Sequence, residues 1–131
     1  MKTTYKNTPI SFTSQGTGSP LVLLHGFLES KEIWQDFVVG LSAKRQIICI
    51  DLPGHGESGN FAEVHTMAEM AKAVKMVLDE LDIQQASFAG HSMGGYVSLE
   101  FQNIFPTMCN SLVLVNSTPQ ADSEERKANR D

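Results

Sequence analysis

From residue 21 onward the chain alternates short apolar runs with segments of helical periodicity, and this alternation limits the possible folds most. Leu21-Val22-Leu23-Leu24-His25-Gly26 is a continuous apolar run closing on glycine, the pattern of a strand buried on both faces. Ile33, Trp34, Phe37, Val38 and Leu41 follow at i, i+1, i+4, i+5 and i+8, which predicts a helix opening near Ser30. Gln46-Ile47-Ile48-Cys49-Ile50-Asp51 is the next strand. Thr66-Met67-Ala68-Glu69 has the form of a capping box, and the helix it opens runs to about Leu81. Its apolar stripe is Met67, Met70, Val74, Val77, Leu78 and Leu81. Gln85 to His91 reads as a further strand. Met93 to Phe105 reads as a helix apolar on most faces, hence buried, and stopped by Pro106. Ser111 to Val115 is the last strand. Ahead of this alternation, Thr3 to Tyr5 and Ile10 to Thr13 flank Asn7-Thr8-Pro9 as a weaker antiparallel hairpin. The class that follows is α/β, a mostly parallel sheet with helices on both faces.

Sheets of this kind bind ligands outside the carboxyl ends of their strands. His25-Gly26-Phe27, Asp51 to Ser58, Ser92 and Asn116 to Thr118 all fall there. Gly90-His91-Ser92-Met93-Gly94 satisfies G-x-S-x-G, which sets a serine on a sharp strand-to-helix turn with its hydroxyl clear of the backbone. The pentapeptide fixes only three positions, so its specificity comes from the strand before it and the helix after it. A second glycine pattern competes. Gly54-His55-Gly56-Glu57-Ser58-Gly59 satisfies G-x-G-x-x-G, but the next helix opens at Thr66, too far on to present its N-terminus to a pyrophosphate. Asp79 and Asp82, the acidic residues at the required distance, fall in a helix. No dinucleotide or other cofactor is expected.

Charge narrows the partners. The net charge is −5 and the basic residues are scattered, so no stripe suggests nucleic acid, and no run reaches membrane-spanning length. Met1 to Phe12 lacks the apolar segment of a secretory signal. Cys49 and Cys109 then read as free thiols of a cytoplasmic protein, and Cys49, among apolar neighbours, is a poor nucleophile. No metal site is expected.

Taken together, His25-Gly26-Phe27, Asp51-Leu52-Pro53-Gly54-His55-Gly56-Glu57-Ser58 and Gly90 to Gly94 resemble the α/β-hydrolase superfamily in motif order and spacing. The resemblance covers nearly the whole chain. It implies that residues 1–120 are the N-terminal part of the hydrolase core and that residues 121–131 begin a lid. Ser92 would be the nucleophile, and the backbone N–H groups of Phe27 and Met93 the oxyanion hole. His25, Gly26 and His91 are assigned to the substrate pocket, with the His91 ring directed away from the serine, and Phe27 and Met93 also serve as its walls. Asp51 would brace the loop that follows it.

A serine at position 92 favours an acyl-enzyme on esters or thioesters over the aspartate chemistry of the family's dehalogenases and epoxide hydrolases. The family's acid and histidine follow the serine in chain order, beyond Asp131, so the chain is expected to be a truncated and impaired hydrolase. Two alternatives stay open. One is a lyase of the menaquinone pathway with the same triad, and the other a non-catalytic ligand-binding module on the same fold. The family's strand order would leave the strand at 111–115 on a sheet edge, where a second fragment or copy is expected to pair.

Overall fold

The computed structural model describes residues 1–27, 29–59 and 66–115. Within these residues six strands make one sheet: β1 (Lys2–Tyr5), β2 (Thr8–Gln15), β3 (Ser19–Leu24), β4 (Arg45–Ile50), β5 (Ala86–His91) and β6 (Cys109–Val115). Their order across it is β1-β2-β4-β3-β5-β6. The predicted hairpin forms and is longer than its apolar residues suggested; β1 and β2 are antiparallel, and β2 joins β4 antiparallel as well. The β4–β3, β3–β5 and β5–β6 pairs are parallel, with Leu24 opposite both Ile50 and Gly90, and His91 opposite Val115. Four strands therefore end at one rim.

Among the described residues three α-helices connect these strands: α1 (Gln35–Leu41), α2 (Met67–Glu80) and α3 (Met93–Ile104). On one face α2 and α3 cover Val22, Leu24, Ile48, Ile50 and Phe88 with Val74, Val77, Val97 and Phe101. On the other, Leu23, Ile47 and Cys49 pack against Trp34 and Val38. The two sets interleave along β3 and β4 because successive strand side chains point to opposite faces. Burying each large apolar side chain stabilises the fold by about 1.5–3 kcal/mol.

Two segments depart from the sequence-based expectation. The helix near Ser30 begins as a 3₁₀ turn over Lys31–Trp34, with Ser30 Oγ accepting from Glu32 N–H, before α1 starts. The 3₁₀ stretch winds more tightly than an α-helix, so the stripe drawn at α-helical spacing does not stay on one face. Trp34 and Val38 are buried, whereas Phe37 is 58% exposed and Leu41 38%. The capping box at Thr66 forms only in half. Thr66 Oγ1 accepts from Glu69 N–H at 3.0 Å, but the Glu69 carboxylate is drawn off to Tyr5 Oη (2.7 Å) and Lys6 Nζ (2.8 Å). That contact ties the β1–β2 turn to α2. The segment predicted to begin a lid at 121–131, and the loop at Asn116 to Thr118, lie outside the described residues.

Candidate active site

Ser92 stands between the end of β5 and the start of α3 with φ 55° and ψ −114°. A non-glycine side chain rarely adopts such a backbone, and holding one there stores roughly 1–3 kcal/mol. The surrounding packing holds it in place. Ser92 N–H donates to the Val115 carbonyl at 3.3 Å, and Gly95 N–H donates to the Ser92 carbonyl at 2.9 Å. A Cβ at Gly90 would run into the Gly94 carbonyl, and one at Gly94 would run into the carbonyls of Leu24 and His25. Glycine at both positions lets α3 start directly over the end of β5 and against the end of β3. Ser98 Oγ donates to the Gly94 carbonyl at 2.8 Å, binding the first turns of α3 together.

The loop after β3 lies against this turn. An added Cβ on Gly26 would sit 3.2 Å from His91 Nδ1 and 3.3 Å from the His91 carbonyl oxygen. His25 is fully buried, and its Nε2 accepts from Leu52 N–H at 2.9 Å. With that nitrogen an acceptor, the ring is neutral and carries its proton on Nδ1, which donates to the Gly26 carbonyl at 2.7 Å. Burial pushes the His25 pKa below its ordinary value, against the opposing pull of the Gly26 carbonyl. Because the peptide is planar and trans, fixing the Gly26 carbonyl also fixes the Phe27 N–H on the opposite side. Among the described residues, neither the Phe27 nor the Met93 N–H donates a hydrogen bond. The Phe27 side chain is 67% exposed and meets the His55 ring edge-on at 5.8 Å between centroids. His55 in turn packs on His25 at 5.1 Å.

Asp51 organises the loop after β4. Its carboxylate accepts from Lys31 N–H at 2.7 Å, Lys31 Nζ at 2.8 Å and Glu57 N–H at 2.9 Å. Its carbonyl accepts from Ser58 Oγ at 2.5 Å, and Ser58 Oγ accepts from Ser11 N–H at 2.7 Å. Burial alone would raise the Asp51 pKa; the Lys31 ammonium and the two backbone donors overcome it and hold the carboxyl below its usual range. The loop closes on itself through Gly54 N–H and the Gly59 carbonyl at 2.8 Å. Asp51 thus acts as a brace.

The structure brings His25, Gly26, Phe27, His91, Ser92 and Met93 to one rim, with His55 beside them. Two residues of this region escaped the sequence reading. Lys31 looked like one scattered cation, and Glu29 belongs to no recognisable pattern; their partners, Asp51 and His91, are 20 and 62 positions away. Cys49 is buried and its pKa is pushed up to about 11 by that burial, consistent with an inert thiol. Among the described residues, no group of three or more His, Cys, Asp and Glu side chains is placed to hold a metal ion. No described helix is long and apolar enough to cross a membrane.

Comparison with known proteins adds to this geometry. The family described as alpha/beta hydrolase fold matches residues 19–130. The dihydrolipoyllysine-residue acetyltransferase component of an acetoin cleaving system from Pseudomonas putida is 44% identical over 100 residues, which are 76% of this chain and 27% of that protein. The uncharacterized hydrolase YugF of Bacillus subtilis is 36% identical over 99 residues, 75% of this chain and 36% of its own. Among solved structures, a thermophilic esterase from Thermogutta terrifontis superposes with a TM-score of 0.86 at 31% identity, covering 98% of this chain and 48% of the esterase. The chain therefore spans about half or less of the length of the proteins it matches.

Proposed function

Since the chain belongs to the alpha/beta hydrolase fold family, with esterases among its structural neighbours, we propose that it is a serine hydrolase acting on small carboxylic esters or thioesters through an acyl-enzyme on Ser92. The single observation that carries this reading is the strained backbone of Ser92 at the head of α3, packed against the loop that holds Phe27. Strain of this kind persists only where the surroundings over-determine it, and a nucleophile turn is such a place. The Ser92 hydroxyl oxygen adds to the acyl carbonyl carbon while its proton passes to solvent water, which in turn protonates the leaving alcohol or thiol. The resulting oxyanion is received by the Phe27 and Met93 amides, the second of which stands at the positive end of α3. Collapse expels the alcohol or thiol, and water then releases the acid. Phe27, with Gly26 and His91 beside it, walls the acyl pocket; His25 supports them from below.

The three described histidines are engaged elsewhere: His25 between Gly26 and Leu52, His55 with the Pro53 carbonyl, His91 with Glu29. On this reading acylation by these residues rests on the serine and the two amides, and is slow. An oxyanion hole without its triad partners still retains roughly 10³–10⁴ over water. Labelling of Ser92 by a fluorophosphonate, with a burst of nitrophenol from a nitrophenyl ester, tests the assignment. Both are abolished in Ser92→Ala. A protein that binds such esters without being labelled is a ligand-binding module instead.

The reading includes a partner. Among the described residues β6 pairs with β5 alone, and Val113 on it is 57% exposed. An apolar edge of this kind recruits another strand, from a second copy or a separate segment. A well-behaved monomer by sedimentation would refute that part.

A further inference from the structure

Glu29 bridges the loop after β3 and the end of β5. Its Oε1 accepts from Gly26 N–H at 2.6 Å and lies 3.0 Å from His91 Nδ1. A carboxylate only accepts, so His91 Nδ1 carries the proton in that contact. Glu29 also holds Gly26 from the other side, donating its own N–H to the Gly26 carbonyl at 3.2 Å. The two peptide planes that meet at the Gly26 Cα are thus both tied to one residue, the first through its N–H and the second through its carbonyl. The second plane is the one that carries the Phe27 N–H. Position 26 has no room for a side chain because this cluster fills it: an added Cβ would sit 2.5 Å from Glu29 Oε1 and 3.2 Å from His91 Nδ1. The same carboxylate oxygen reaches across to the residue immediately before Ser92.

We propose that Glu29 is a positioning residue that locks the Gly26–Phe27 peptide to the Ser92 turn, setting the distance between one oxyanion donor and the nucleophile. The inference rests on the serine-hydrolase reading. Electrostatics alone does not account for Glu29, because a carboxylate close to a developing oxyanion opposes it. Its value is geometric, and the two donors that converge on Oε1 offset its charge. A displacement of about 1 Å at such a centre costs on the order of 10²-fold in rate, so loosening one loop is readable.

The test uses fluorophosphonate labelling resolved into reversible binding and the bond-forming rate. Glu29→Ala lowers the bond-forming rate roughly tenfold or more with binding unchanged. Glu29→Gln, whose side-chain oxygen can accept from both donors without the charge, stays within about twofold of the parent chain. Thermal melting of both variants checks that they are folded. An arm independent of reactivity follows the Gly26 amide by NMR in a Ser92→Ala background, where Glu29→Ala shifts the resonance upfield and speeds its exchange. Labelling of Glu29→Ala at the parent rate, with the Gly26 amide unmoved, overturns the proposal. A parent chain that takes no label, while the Gly26 amide still depends on Glu29, overturns the hydrolase reading and with it the catalytic role of the clamp.

Discussion

At the scale of single residues, the rim depends on buried polar groups whose partners come from distant parts of the chain. Asp51 and Lys31 are the extreme case, with side chains 1% and 9% exposed. Removing one member of a buried pair leaves the other charged and unpaired, which typically costs 3–5 kcal/mol. Lys31→Met is therefore expected to lower unfolding stability by about that amount in urea titration at neutral pH, and Lys31→Met with Asp51→Asn by less than the two single changes added. The pH dependence has a definite sign. Asp51 is held below the ordinary carboxyl value of 3.8, so its contribution is complete above that value and disappears as pH falls through the lowered one. Lys31 is raised above 10.5: burial would lower it, but the Asp51 carboxylate outweighs burial. Its contribution is complete below 10.5 and disappears as pH rises through the raised value. The Lys31→Met, Asp51→Asn double variant accordingly shows a flatter acid limb than the parent chain.

The elements were legible in the sequence to different degrees. β3 and β4 follow from their apolar runs, α3 from being apolar on most of its faces, and the Gly90 to Gly94 turn from glycine spacing, because all are local properties. The break of the Lys31–Leu41 segment into 3₁₀ and α portions was not, since Ile33, Trp34, Phe37, Val38 and Leu41 fit an α-helix and only the packing of Trp34 and Val38 on the sheet decides the matter. Its spacing from Thr66 makes Glu69 the return half of a capping box, yet Tyr5 and Lys6, more than 60 positions away, compete for it and win. Long-range polar contacts leave no periodicity to read. Two outcomes follow for α2. Thr66→Ala removes the acceptor for Glu69 N–H and is expected to cost about 1 kcal/mol in thermal unfolding. Glu69→Gln should return the Tyr5 phenol, now raised to about 12 by burial and by the Glu69 carboxylate, toward 10 in an ultraviolet titration. A Tyr5 titration unchanged by Glu69→Gln would mean that burial alone sets it.

At the scale of the whole molecule, the larger buried cluster among the described residues lies on the α2–α3 face of the sheet, and Val113 on β6 and Phe37 and Leu41 on α1 are exposed. Val113→Lys places a charge on the exposed edge strand and is expected to shift sedimentation toward the monomer, whereas a change on the opposite margin, such as Lys2→Glu on β1, leaves it alone. The order of the six described strands was foreseeable through the family resemblance that the motifs carry, not from any local pattern. The exposure of Phe37 and Leu41 on α1 was not foreseeable. A consequence of the parallel core concerns its far margin. The proposed nucleophile and oxyanion donors sit where β3 and β5 terminate, while the exposed Gln84–Gln85 link into β5 lies at the other end of that strand. Foreign sequence spliced there, a reporter or an affinity handle, would hang from the molecule's back, so the chemistry could be watched without being touched.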